Sequence, residues 1–187
     1  MANIRLIITS IAVVVLAGIG AYSFTSEPEW FMDNLIAMAA VALFYFLHTK
    51  LRISSVPYAL VLIIPLLHNL GSFGLYSTGF AGIAWDFMVH SFAGFAISIT
   101  AFQSLSKATK LKPREKAIIA IGIVLAIAAL LEITEGLGAL IWGKGEGFLL
   151  YGAGDTDYLD TQTDLMFNLV GGVLGLFVSL IAHKLQK

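Results

Sequence analysis

Long apolar stretches separated by short polar segments dominate this chain. Six of them have the length of about 20 mostly apolar residues that an α-helix needs to cross a bilayer. They cover residues 4–24, 31–47, 57–76, 83–103, 117–142 and 164–183. The second stretch is short, and the fifth is long enough to tilt in the membrane. The pattern predicts an all-α polytopic membrane protein, a six-transmembrane-helix bundle forming one domain over residues 1–187.

The composition supports this fold class and excludes others. Hydrophobic residues make up 58% of the chain and charged residues only 12%, whereas a soluble domain carries about 25% charged residues. The absence of cysteine excludes a disulfide-stapled scaffold. The net charge of −1 gives no global attraction to nucleic acid, so no nucleic-acid partner is expected.

The basic residues predict the orientation of the bundle. Ten of the 11 Lys and Arg residues fall at the termini or in the loops after spans two and four, which all lie on one side of a six-span chain. Cytoplasmic loops are enriched in Lys and Arg, so both termini are predicted to be cytoplasmic. The expected location is therefore the cytoplasmic (inner) membrane, with several passes.

Three spans carry acidic, His or Asn side chains three or four residues apart, which places each set on one helix face. In chain order these sets are Asp86 and His90, then Glu132 and Glu135, then Asp160, Asp164 and Asn168. His68 lies in the outer half of span three. With a rise of about 1.5 Å per residue, all of these side chains reach a similar depth in the outer leaflet.

So many carboxylates in one apolar environment need protons or a metal ion to neutralise them. Carboxylates combined with imidazoles suit a divalent ion such as Zn²⁺, Mg²⁺, Mn²⁺, Fe²⁺ or Ca²⁺. Six residues are candidate metal ligands: Asp86, His90, Glu132, Asp164, His68 and, in the outer loop, Asp157.

The leading hypothesis is a metal-dependent hydrolase or transferase that acts on a lipid-linked or envelope-linked substrate. Glu135 or Asp160 would be the catalytic general base for a metal-activated water, and Gln162 and Asn168 would orient ligands or substrate. One alternative is a proton- or cation-coupled transporter. A second is a non-catalytic envelope scaffold whose polar cluster only holds helices together. Membrane lipids are expected partners, and the sequence leaves the oligomeric state open.

A glycine pair on the last span, Gly171 and Gly175, forms a GxxxG motif. Such motifs allow helix backbones to approach closely. We expect the pair to serve packing within one chain rather than dimerisation.

These motifs resemble the VanZ-like superfamily of small membrane proteins. That family carries Asp-x3-His on one span, Glu-x2-Gln on the next long span, and Asp-x3-Asn-x2-Gly-x3-Gly at the start of the last. The matching residues here are Asp86, His90, Glu132, Asp164, Asn168, Gly171 and Gly175. Glu135 replaces the Gln, and the family's Arg before the last Asp is missing.

Where the chain departs from the VanZ-like pattern, it is closer to the YjdF-type inner-membrane family. The segment from Asp160 to Asp164, the His-x2-Gly at His68, and the Glu-x2-Glu at Glu132 resemble that group. The resemblance covers about residues 67–176. It implies a membrane protein of the cell envelope, since VanZ-like proteins are associated with glycopeptide (teicoplanin) resistance, and it specifies no reaction.

Overall fold

The computed structural model describes residues 2–142 and 159–185, and these residues are almost entirely helical. The helices are α1 (Ala2–Ser26), α2 (Trp30–Leu51), α3 (Ser55–Asn69), α4 (Leu75–Thr78), α5 (Trp85–Ala108), α6 (Pro113–Trp142) and α7 (Asp160–Leu185), with a 3₁₀ turn at Leu70–Phe73. Six helical segments are long and apolar enough to cross a membrane. No strand occurs within the described ranges, so the all-α, six-helix prediction is confirmed.

The long helices form two groups. Helices α1, α2 and α3 pack on one another, α5, α6 and α7 do the same, and α3 packs on α5 to join the groups. The core of the first group consists of Ala12, Leu16, Ala37, Val41, Ile53, Tyr58 and Leu62. This arrangement leaves α2 and α6 on either side of the α3–α5 contact.

Both termini lie at the same end of the bundle. Near the start of α1, Arg5 donates a hydrogen bond of 2.6 Å to the carbonyl oxygen of Ile53, in the loop between α2 and α3. Arg52 in that loop reaches the carbonyl oxygen of Lys107 at the end of α5. Close to the end of α7, His183 contacts the ring of Phe102. This is the end that carries the basic loops, and we call the opposite end the outer end.

Several helix boundaries differ from the expected spans, among them those of α2, α3 and α7. Helix α2 extends to Leu51, where Arg52 adopts a left-handed conformation with φ 54°. Helix α3 ends at Asn69 and gives way to the 3₁₀ turn, which Gly74 terminates with φ 80°. Helix α7 begins at Asp160 rather than at residue 164. Its first turn is polar, so hydropathy does not mark that turn as part of the helix. Asp160, the first residue of the third set, therefore lies on the helix.

Small residues bring α5 and α7 into close contact. A Cβ atom placed at Gly171 would overlap the backbone oxygen of Ser91, and one at Gly94 would overlap the backbone of Asn168. At Gly175 a Cβ would meet the backbone oxygen of Phe95 at 2.5 Å. The glycine motif of α7 thus packs against α5 within the chain, as expected from the sequence.

Candidate functional site

The contact between α5 and α7 brings three ionisable side chains together at the outer end. Asp86 and His90 occupy the first two turns of α5, and Asp164 lies in the second turn of α7. His90 Nε2 lies 3.3 Å from Asp86 Oδ1 and 3.6 Å from Asp164 Oδ2. One potential ligand atom from each residue lies within 4.8 Å of the others. We call these three residues the Asp/His cluster.

Asn168 fixes the orientation of the imidazole from the other side. Its amide nitrogen lies 2.9 Å from the carbonyl oxygen of Asp164, to which it donates, and 2.7 Å from Nδ1 of His90. An amide nitrogen carries two hydrogens, so one goes to each acceptor. Nδ1 of His90 is then an acceptor, and the ring hydrogen lies on Nε2, facing the two carboxylates.

The carboxylates retain acceptor capacity that the protein does not use. Asp86 Oδ2 and Asp164 Oδ1 are buried and accept no hydrogen bond from an amide, hydroxyl or ring donor within the described residues. A buried carboxyl oxygen without such a partner is costly. Oxygen atoms with this chemistry, next to one imidazole, fit a divalent cation.

The remaining acids predicted for the site surround the cluster. Glu132 is buried, at 6% exposure, but it does not belong to the close set of three. Glu135 and Asp160 line a cavity that the cluster also faces. The structure therefore separates an inner set of candidate ligands from two acids, Glu135 and Asp160, that line the cavity.

One of the predicted residues lies away from the cluster, and another is not among the described residues. Gln162 is exposed on α7, with no described contact to the cluster. Asp157, proposed as a sixth ligand, lies outside the described residues.

His68 forms a second ionisable set with residues that the sequence analysis did not connect to it. Its Nε2 lies 3.2 Å from Oδ2 of the buried Asp33, and its Nδ1 lies 3.0 Å from the hydroxyl of Tyr76. The ring of Trp30 packs on that of His68 at 5.6 Å. We call Asp33, His68 and Tyr76 the second His set. An acid four residues into a membrane helix was the sequence signal for Asp33.

Tyr76 stays protonated in this environment. It follows the third membrane-spanning segment, which ends at Phe73 rather than at residue 76 as expected. Burial raises its pKa well above the usual 10.0, assisted by the negative charges of Asp86 and Glu135. The phenol hydrogen is then available to Nδ1 of His68, 3.0 Å away, and Nε2 of the same ring faces Asp33 at 3.2 Å.

Both sets face one cavity of about 600 Å³. Helices α2 and α6 form its walls, α3 and α5 form its floor, and the start of α7 contributes at the outer end. We call it the α2–α6 groove. Its outer end is lined by Asp33, His68, Tyr76, Asp86, His90, Glu135, Asp160, Asp164 and Asn168. No Lys or Arg is found among the described residues that line it.

Comparison with known proteins gives a family. Residues 3–185 match the model of a family described as predicted membrane protein (DUF2238). The chain belongs to this family. None of the curated proteins and none of the solved structures with which the chain was compared matches it.

The DUF2238 match covers all six long helices, so it supports a multi-pass membrane location for the whole bundle. The family description specifies no reaction. What this DUF2238 protein does must therefore be inferred from the Asp/His cluster, the second His set and the groove between them.

Proposed function

We propose that this protein is a divalent-metal-dependent membrane hydrolase or transferase that acts on a lipid-linked substrate. The observation that carries the proposal is the Asp/His cluster, in which three ligand atoms lie within 4.8 Å of one another and both carboxylates keep a buried oxygen without an amide, hydroxyl or ring donor among the described residues. A fully hydrogen-bonded structural link would not leave those oxygens without partners.

Each residue near the cluster has a role in this proposal. Asp86, His90 and Asp164 hold the ion, and the buried carboxylate of Glu132 adds negative charge close to it. A divalent ion supplies Lewis-acid activation of water or of a substrate oxygen. Glu135 and Asp160 face the groove, where one of them accepts the proton of the attacking water.

Asn168 sets a condition on metal binding. In the structure Nε2 of His90 carries a hydrogen, and a metal ligand must offer a lone pair there. The ring hydrogen must move to Nδ1, and the amide of Asn168 must turn so that its oxygen accepts it. Hydrogen bonds of this kind fix the tautomer of ligating imidazoles in metal sites.

The resemblance to VanZ-like and YjdF-type proteins supports a role in the cell envelope. The polar residues of the VanZ-like motif on the fourth and sixth spans are Asp86, His90, Asp164 and Asn168, and these four meet at the cluster. We place the protein in the inner membrane with the cluster in the outer leaflet, as the basic loops predict.

Metal analysis of purified protein tests the proposal. We expect a bound divalent ion near one per chain after exchange against Zn²⁺, Mg²⁺, Mn²⁺, Fe²⁺ and Ca²⁺ in turn, and we expect Asp164→Asn to lose it. Glu29→Gln is the matched control, because it removes an exposed carboxylate at the start of α2. If the wild type binds none of these ions, the metal proposal is wrong. If Asp164→Asn instead abolishes folding while wild-type protein is metal-free, the scaffold alternative is favoured.

One observation favours a proton- or cation-coupled transporter as a second candidate. The second His set lies across the groove from the Asp/His cluster, so two proton-binding groups face the same space. The inner half of the groove offers only Thr100 and Ser104 as polar side chains among its described lining residues. A pH-gradient flux assay in liposomes separates the candidates. Proton or cation flux that Asp33→Asn abolishes supports the transporter, and the absence of any flux in wild-type protein supports the enzyme.

A further inference from the structure

The α2–α6 groove has ionisable side chains only at its outer end, and the polar side chains of its inner half are Thr100 and Ser104 among the described lining residues. Toward the basic end its lining changes to aliphatic and aromatic side chains, among them Val41, Phe44, Ile97, Leu105 and Ile123. A site for a small polar substrate alone would need only the outer part. The inner part is an apolar extension that the proposed chemistry does not use.

The length of the groove fits an extended hydrocarbon chain. Its lining runs along α5 from Asp86 to Leu105, which spans about 28 Å at 1.5 Å per residue. The volume of about 600 Å³ leaves room for a hydrocarbon chain along that length.

The groove is accessible from the bilayer because its walls belong to different helix groups. Helix α2 packs with α1 and α3, whereas α6 packs with α5 and α7. Ala40 on the α2 wall and Leu131 on the α6 wall both line the groove and are exposed. A lipid chain can therefore enter sideways between α2 and α6.

We propose that the groove binds a hydrocarbon chain of a lipid, with the chain directed toward the basic end and the polar head at the Asp/His cluster. This inference rests on the proposed function, for which it names the substrate class. Because the outer end is acidic and has no Lys or Arg among its described lining residues, an anionic head such as a phosphate needs the divalent ion to bind there.

Photo-crosslinking tests the position of the chain. The probe is hexadecyl phosphate with a diazirine at the end of its chain, added with Mg²⁺ or Zn²⁺ to the protein in phosphatidylethanolamine–phosphatidylglycerol vesicles. We expect crosslinks on the inner lining, around Phe44 and Leu105.

Ala40→Trp fills the groove from its α2 wall. Displacing about two methylene groups of the chain reduces labelling about tenfold. Ala39→Trp is the matched control, since Ala39 is the adjacent exposed alanine and does not line the groove. Equal labelling in the two variants, or crosslinks spread over the whole lipid-facing surface, would overturn the proposal.

These experiments distinguish a failure of the metal proposal from a failure of the groove proposal. If the protein binds no ion but an uncharged hexadecanol probe still labels the inner lining, the groove proposal holds and the metal proposal is wrong. If an ion binds and neither probe labels the inner lining, the metal proposal holds and the groove proposal is wrong.

Discussion

Asn168 decides how His90 behaves, although it is not itself ionisable. Its amide nitrogen donates to the carbonyl oxygen of Asp164 and to Nδ1 of His90. The carbonyl oxygen of Asp164 can only accept a hydrogen bond. The Asn168 amide therefore cannot turn its own oxygen toward it without losing the bond to Asp164. Asn168 therefore holds His90 in one tautomer until a ligand bound at Nε2, such as a metal ion, compensates for the lost hydrogen bond.

A first prediction concerns this tautomer. In metal-free wild-type protein His90 should carry its hydrogen on Nε2, because the amide nitrogen of Asn168 donates to Nδ1. In the Asn168→Asp variant the hydrogen should lie on Nδ1, because the new carboxylate accepts a hydrogen bond there. Ring ¹⁵N chemical shifts of labelled histidine measure both states. A wild-type His90 with its hydrogen on Nδ1 would contradict the hydrogen-bond assignment.

Tyr76 gives a second prediction, on pH dependence. The folded state raises the pKa of this phenol, so folded protein binds the proton more tightly than unfolded protein does. Stability is then fully present below the usual tyrosine pKa of 10.0 and falls as the pH rises above it. Tyr76→Phe should lose less stability between about pH 9 and pH 11, measured as the thermal unfolding midpoint. Parallel curves for the two proteins would show that Tyr76 does not contribute.

At the level of residues, the sequence predicts the part of the site that depends on helical spacing. Asp86 and His90 are four apart on one helix, and their pairing with Asp164 and Asn168 follows from a shared depth. The link from His68 to Asp33 and Tyr76 could not be predicted in the same way. It depends on how α2 packs on α3 and on the turn after Phe73, and no spacing within one helix encodes either.

At the scale of helices, the seam between α5 and α7 positions the Asp/His cluster. Gly94, Gly171 and Gly175 let the two backbones approach so closely that no Cβ atom fits between them. The cluster residues lie in the helical turns next to this seam. Widening the seam would move Asp164 and Asn168 away from His90.

A third prediction tests the seam with two alanine substitutions. Gly171→Ala places a methyl group against the backbone of Ser91 and Phe95, and overpacking of this kind costs about 1–3 kcal/mol. Gly122→Ala on α6 meets no atom within 4 Å and should be neutral or stabilising by up to about 1 kcal/mol. The measurement is the thermal unfolding midpoint in detergent. Equal midpoints would mean that the backbones do not touch at Gly171.

Helix boundaries show what hydropathy does not encode. The apolar stretch of α2 stops well before Leu51, and that of α7 starts after Asp160, because hydropathy measures the thickness of hydrocarbon and not the extent of the hydrogen-bonded helix. The early start of α7 matters for the site. It places Asp160 on the helix, where it lines the α2–α6 groove.

At the scale of the whole molecule, charge and packing give the bundle two different ends. The basic loops gather at the end that holds both termini, and most of the described acids, together with His68 and His90, gather at the other. The groove connects these ends through an apolar interior. A head group bound at the acidic end would thus have its hydrocarbon chain pointing toward the basic end.

This polarity leads to a fourth prediction, on topology. The chain has no cysteine, so single cysteines report position without background. Ser77 and Ala108 are exposed at opposite ends of the bundle, and replacing them removes no charge. A membrane-impermeant maleimide added to intact spheroplasts should label Ser77→Cys at once and Ala108→Cys only after permeabilisation. The opposite labelling would place the Asp/His cluster in the cytoplasmic leaflet. It would then exclude an envelope substrate approached from outside, while leaving the metal ligands and the groove as they are.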